Sequence, residues 1–260
     1  MPRTRRLKSE TGIYHVILRG NNKQTIFEDD EDNDMFLVTL EQYKKQSGYK
    51  LLAYCLMGNH LHLLLKTEKE ELGQIFQRIG ASYVYWYNRK YDRTGHLFQA
   101  RFKSEVVETD IYLFAVLRYI HQNPLKARMV TRLEDYAWSS YGEYLGLNTN
   151  RYVDKDFILM LFNEDRNKAV TDFKAFNEII TDERCLDISE KKRISDEKAI
   201  QLIKKKFSVQ SSKEVQGLDS EQRKKCIVFL LNKGLSVRQI SRITGISRYF
   251  IDSEEVEKPK

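Results

Sequence analysis

Two apolar runs, YKLLAYCLM (residues 49–57) and HLHLLLK (residues 60–66), are separated only by Gly58 and Asn59. A two-residue loop containing glycine joins strands back to back, so this segment predicts a β-hairpin and commits the chain to an antiparallel sheet. IYHVILR (residues 13–19) is rich in branched and aromatic side chains and stops at Gly20-Asn21-Asn22, which reads as a strand entering a turn. Acidic residues at 28–31 open a helical pattern carried by Phe36, Leu37, Leu40 and Tyr43 and ending near Gly48. Ile75, Phe76, Ile79, Tyr83 and Trp86 share one face of a second helix over residues 72–91. Residues 102–107 predict a fourth strand, and residues 111–123 a helix whose continuation Pro124 opposes.

The order β, α, β, β, α, β, α is that of a split βαβ sandwich. It predicts an α+β fold, a ferredoxin-like or RRM-like antiparallel sheet with helices on one face, the other face being free to hold a site. Residues 147–215 are rich in lysine and acids, with helical patterns at 157–162 and 199–207, and predict a helical connector. RKKCIVFLLNKGLSVRQISRITGISRYFI (residues 223–251) has the rhythm of a helix-turn-helix, with Ser236 as a helix N-cap and Ile240 and Ile243 in a small core. The expected division is therefore 1–146, 147–215 and 216–260, with an all-α C-terminal region.

A chain of 260 residues has room for one large or two modest cores. A net charge of +7 and a pI near 9.1 give it a field that attracts polyanions, nucleic acid first among them. The longest apolar runs, such as residues 61–65, fall far short of the roughly 20 residues of a membrane-spanning helix. MPRTRRLKSE carries no apolar block of signal-peptide length. Cys55, Cys185 and Cys226 are odd in number and far apart, which excludes a disulfide framework or a zinc pattern and points to a reducing cytoplasm.

Within GNHLHLLL (residues 58–65), His60 and His62 lie two apart on a strand and share a face, while Leu61, Leu63 and Leu65 share the other. Two imidazoles about 7 Å apart along the strand are spaced for a shared cation. In RYIHQNP (residues 118–124), Tyr119 and Asn123 are one helical turn apart and His121 is turned away from them. A phenol is a covalent nucleophile only with help, since its ordinary pKa is about 10. An asparagine carbonyl is an oxygen ligand for a hard cation. Taken singly, each pair has an ordinary packing explanation; together they read differently.

Together they resemble the HUH endonucleases, specifically the single-tyrosine transposases, in which a His-hydrophobic-His strand faces a tyrosine on a later helix. The resemblance runs from about residue 14 to 146. It includes YHVILRGNN, GNHLHLLL, GHLFQARFKS (residues 95–104), YIHQNPLKARMV (119–130) and WSSYGEYLG (138–146). Asparagine four residues after the tyrosine is similar to the REP-associated branch; the insertion-sequence branch usually carries glutamine there. The resemblance implies Mg²⁺ or Mn²⁺ held by His60, His62 and Asn123, and a 5′-phosphotyrosine link formed by Tyr119. It also implies single-stranded or hairpin DNA as substrate and a monomer rather than a homodimer.

Candidate phosphate contacts are Arg101 and Lys103 in the GHLFQARFKS motif, Arg3, Arg5 and Arg6 near the start, and Arg238, Arg242 and Arg248 in the helix-turn-helix. Tyr85, Trp86 and Tyr87 are consecutive, so one of them must leave the buried helix face and is available to stack on a base. Two other readings stay open: a transposase-derived regulator that binds DNA without cutting, and a replication initiator or relaxase using the same histidine pair. The target sequence, the cut position and whether an element is moved are not written in the chain.

Overall fold

The hairpin forms as its short loop requires: β2 (Lys50–Met57) and β3 (His60–Lys66) pair antiparallel across Gly58-Asn59. The structure is a computed structural model that describes residues 6–148, 152–181, 185–187 and 194–252. Strand β1 (Ile13–Arg19) pairs antiparallel with the free edge of β3, and β4 (Lys103–Val106) with β1, giving the sheet order β2-β3-β1-β4. The register places Ile17 opposite His62, His15 opposite Leu64 and Arg19 opposite His60. It also sets Lys103 opposite Ile17 and Glu105 opposite His15, so these side chains share the histidine face.

Helix α1 (Asp30–Ser47) starts at Asp29, whose carboxylate accepts from the Asp32 backbone while Asp32 reaches back to the Asp29 backbone. It stops at Gly48, whose left-handed φ of 65° suits glycine. Helix α2 (Leu72–Lys90) packs against α1, and Tyr83 is edge-on to Phe36 with ring centroids 5.0 Å apart. Lys90, at the end of α2, bridges Asp29, Glu31 and Asp32 at the start of α1. Tyr85 is the aromatic that leaves the buried face, at 71% exposure.

Helix α3 (Asp110–Lys126) lies over β2 and β3 on the histidine face, the face expected to stand free. It also runs through Pro124 instead of ending before it. The proline falls in the last turn, where a missing N–H costs one hydrogen bond. The helix still closes, through Ala127 N–H to Asn123 O at 2.9 Å and Met129 N–H to Pro124 O at 2.9 Å.

The chain divides into one compact unit within residues 1–188 and another within 189–260. Residues 147–215, expected as a connector, are shared between the two. In the first unit α4 (Tyr141–Leu145), α5 (Lys155–Phe162) and α6 (Arg166–Glu178) extend the sheet core, with Ile158, Leu159, Ala169 and Phe173 buried. The physical reason is that α6 carries Ala169, Phe173 and Asn177 at fourfold spacing, one buried stripe in which Asn177 is satisfied by hydrogen bonds to His121 and the Phe173 carbonyl. In the second unit α7 (Asp196–Phe207) gives Ala199 and Ile203 to a small core shared with α8 (Ser220–Asn232), α9 (Val237–Thr244) and α10 (Arg248–Asp252). Ile240 and Ile243 lie in it, and the Ser236 hydroxyl accepts from Gln239 N–H as an N-cap. Among the described residues no helix is long and apolar enough to cross a membrane.

Candidate active site

Strand alternation brings three imidazoles, not two, onto one patch of the sheet, and α3 lowers a phenol onto them. The His62 ring is fully buried, 5.2 Å from the His60 ring and 5.6 Å from the Tyr119 ring between centroids. His15, from β1, stacks on His62 at 5.3 Å and lies 5.9 Å from Tyr119. Tyr119 is only 7% exposed. Asn123, one turn on, turns its amide nitrogen back to the Tyr119 carbonyl at 2.9 Å, which leaves its Oδ1 as the atom to offer.

The nitrogen atoms are arranged with a common sense. Asn59 Oδ1 is 2.7 Å from His60 Nδ1, so that nitrogen carries the proton and Nε2 keeps a lone pair. His62 Nδ1 is engaged by His15 Nε2 at 3.1 Å, and His62 Nε2, buried, has no hydrogen-bond partner among the described residues. A buried ring nitrogen without a partner is costly unless something fills its lone pair. Burial lowers the His15 pKa to about 3 and, with Arg19 adding to it and Asp187 opposing it, the His60 pKa to about 4. His62 is held well below the ordinary value by burial first and then by its two histidine neighbours. All three rings are therefore neutral near pH 7, the state in which imidazole donates a lone pair.

These residues fit a divalent cation as far as two imidazoles can. Among the described residues no group of three or more His, Cys, Asp or Glu side chains is placed to hold a metal. Further donors must then be neutral, such as Asn123 Oδ1, or come from a bound substrate.

Tyr119 has a partner the sequence did not announce. Its phenol is hydrogen-bonded to the Asp187 carboxylate, and its pKa is driven well above the ordinary value by burial, then by the negative charge of Asp187. The segment Cys185–Asp187 is tied to the sheet edge where Leu186 N–H donates to Glu105 Oε2 at 3.0 Å. Lys126 places its ammonium over the ring, 5.0 Å from the Tyr119 centroid.

The structure thus brings Tyr119 onto His62, with His60 beside His62 and Asn123 one helical turn beyond Tyr119. Lys103 is exposed on the histidine face of the edge strand. Arg101 is exposed and lines a cleft of about 590 Å³ with Arg6, Lys8 and Tyr14, into which Glu68, Glu70 and Glu71 also project. Arg6 lies over the Phe102 ring at 3.7 Å and donates to the Phe102 carbonyl at 3.1 Å, so it is committed to packing. Arg3 and Arg5 lie outside the described residues. Arg238 and Arg248 are exposed on α9 and α10. Arg242, expected to face outward, is exposed and is clamped by Asp196 at 2.9 and 2.8 Å, an ion pair the sequence hides because its partners are 46 positions apart.

Residues 8–123 match the family model described as IS200-like transposase. The match spans a little under half of the chain and marks a likeness to that family. A transposase is a DNA-cleaving enzyme, and the matched segment holds both the histidine strand and the tyrosine helix. Among solved structures the chain is similar to a REP-associated tyrosine transposase bound to a REP hairpin, at 14% identity and a TM-score of 0.50. That match covers 59% of this chain and 90% of the other, and it shows the same fold. A candidate transposase from Deinococcus radiodurans R1 matches at 19% identity, 47% and 97% coverage, and a TM-score of 0.34. No curated protein matches the sequence.

His15 and Arg19 were within reach of sequence reasoning, since IYHVILR alternates and places both on one face of β1. What the sequence lacked was which face β1 turns to the histidine pair. Asp187 gave no signal.

Proposed function

We propose that this transposase cuts and rejoins single-stranded DNA by a metal-dependent reaction in which Tyr119 becomes linked to a 5′-phosphate. The observation that carries the reading is the Tyr119 ring set 5.6 Å from a buried imidazole, His62, whose Nε2 has no hydrogen-bond partner among the described residues. His60 and His62 would hold Mg²⁺ or Mn²⁺ through Nε2, with Asn123 Oδ1 as a further ligand. A bound cation of this kind polarises a phosphate and offsets charge developing on it.

The chain's own residues do the rest. The phenol attacks phosphorus, its O–H bond breaks, and the P–O bond to the 3′-oxygen breaks, that oxygen leaving as a 3′-hydroxyl with a proton from water. Asp187, already accepting the phenolic hydrogen, takes the proton. In the reverse direction a 3′-hydroxyl gives its proton to water as it attacks the phosphotyrosine, the P–O bond to Tyr119 breaks, and Asp187 returns its proton to the departing phenol. No ATP is required, because the phosphodiester energy is kept in the covalent link. Lys126 beside the ring and exposed Lys103 and Arg101 supply positive charge for the DNA backbone. Exposed Arg238 and Arg248 are read as further phosphate contacts on a helix-turn-helix that binds DNA.

The decisive experiment incubates the full chain with 3′-labelled single-stranded hairpin oligonucleotides and Mn²⁺, with and without EDTA, and looks for labelled protein. A metal-dependent adduct that Tyr119→Phe abolishes while DNA binding persists is the expected result. Binding without any adduct in the unmodified protein would favour a regulator that does not cut, and would sink the enzyme reading.

A further inference from the structure

Resting on the metal reading above, we propose that His15 is a positioning residue: its ring accepts the Nδ1 hydrogen of His62 and so holds the His62 Nε2 lone pair toward the cation.

The two metal-site histidines are oriented by different means. Asn59 Oδ1 lies 2.7 Å from His60 Nδ1, and an amide oxygen only accepts, so Asn59 settles that tautomer alone. His62 has no such carbonyl. Its Nδ1 meets another imidazole nitrogen, His15 Nε2, at 3.1 Å, and either atom can be the donor. The sheet register makes this contact, because His62 is opposite Ile17 and His15 is opposite Leu64, one diagonal step away on the same face. The rings stack at 5.3 Å with 26° between their planes, so the contact is held by packing as well.

Only two proton arrangements are available to the neutral pair. If His15 donates, His62 carries its proton on Nε2 and is no ligand. If His62 donates, His62 Nε2 presents a lone pair and His15 keeps its proton on Nδ1. Both His15 Nδ1 and His62 Nε2 are buried without partners among the described residues, so each arrangement leaves one unsatisfied donor and one unsatisfied acceptor in the metal-free protein. A cation on His62 Nε2 removes the acceptor from that count and selects the second arrangement. His15 therefore does for His62 what a carbonyl or carboxylate commonly does for a metal-bound histidine. A hydrophobic residue at position 15 would pack the site but leave the His62 tautomer unset.

The test measures Mn²⁺ affinity by calorimetry and by EPR of free Mn²⁺, on the full chain without DNA. His15→Gln keeps an acceptor near the position of Nε2, whereas His15→Leu removes it at similar volume; metal-free thermal denaturation of each reports folding. His15→Leu is expected to weaken Mn²⁺ binding roughly 10–100-fold, and His15→Gln to stay within about threefold of the unmodified protein, the usual scale for such partners. Equal affinity in His15→Leu, or equal loss in both variants, overturns the inference. Nitrogen-15 histidine spectra of the unmodified protein loaded with diamagnetic Mg²⁺ give an independent check: a proton on His15 Nε2 overturns it even if neither variant folds. Failure of the unmodified protein to bind Mn²⁺ would instead remove the metal reading. Loss in His62→Ala with no change in His15→Leu would remove only the role of His15.

Discussion

Lowering the pH should destabilise the first unit through His121, on the back of the tyrosine helix. The ring is 1% exposed and enclosed by Tyr141, Tyr144 and Phe173, whose centroids lie 5.5 to 5.8 Å away. Both nitrogens are used: Nδ1 with Asn177 Oδ1 at 3.0 Å and Nε2 with Ser140 Oγ at 2.9 Å. In the neutral ring Nδ1–H donates to Asn177 and Nε2 accepts from the Ser140 hydroxyl, so every atom is satisfied without a second proton. Burial lowers its pKa to about 4, against 6.5 when unperturbed, and the Asn177 hydrogen bond offsets part of that effect.

A depressed folded-state pKa means that below pH 6.5 the unfolded chain takes up a proton the folded chain refuses. Stability is therefore full above pH 6.5, is lost as the pH falls toward 4, and levels off below. The gap between 6.5 and about 4, at 1.36 kcal/mol per unit, amounts to about 3 kcal/mol from this one residue. His121→Gln cannot titrate, so whatever its fixed cost at pH 7, its stability should fall less steeply on acidification. Urea unfolding at a series of pH values, followed by tryptophan fluorescence, isolates the right unit, because Trp86 and Trp138 both lie within residues 1–188. Carboxylates and the other histidines contribute to both proteins and cancel in the difference. Parallel stability curves between pH 6.5 and 4 would refute the reasoning.

Three further outcomes are expected. Asp187→Asn should slow adduct formation by about 10²–10⁴-fold, the usual share of a positioned proton acceptor; a faster reaction in a quenched-flow assay would show that the carboxylate obstructs instead. Arg101→Ala and Lys103→Ala should each flatten the plot of log affinity against log salt for single-stranded DNA by about 0.7, and an unchanged slope would place the residue off the phosphate path. Gly245→Ala should destabilise the second unit by at least about 1–2 kcal/mol for the left-handed φ of 77°, and more if Gln216, whose Nε2 would sit 1.8 Å from the new Cβ, gives up its bond to Thr244 O. Thermal melts on the full chain that leave the transition in place would contradict this.

Local periodicity carried most of what was readable in advance. The four strands and the first three helices follow from two- and four-residue repeats, and His60 with His62 share a face for the same reason. What resisted was everything set by distant pairing. His15 needed the β1–β3 register, Asp187 needed the path of a segment without repeats, and Arg242 needed Asp196 from another helix. Within residues 147–215 the division near residue 188 is hard to read, because lysines and acids dilute the pattern. The stripe of Ala169, Phe173 and Asn177 nevertheless sends α6 into the first core, where Phe173 stacks on Tyr144 at 4.3 Å.

One physical cause, burial, acts in opposite senses on the two halves of the site. It makes the imidazoles poor proton acceptors, with His15 near 3 and His60 near 4, so they stay neutral and able to bind a cation across the physiological range. The same low-dielectric surroundings make the Tyr119 phenol a reluctant acid, raised further by Asp187. A site that needs neutral ligands and an attacking phenolate cannot obtain both from burial alone. In the proposed reaction the Asp187 carboxylate would resolve the conflict in kinetic terms: it disfavours a free phenolate at rest, yet would take the proton as the O–P bond forms.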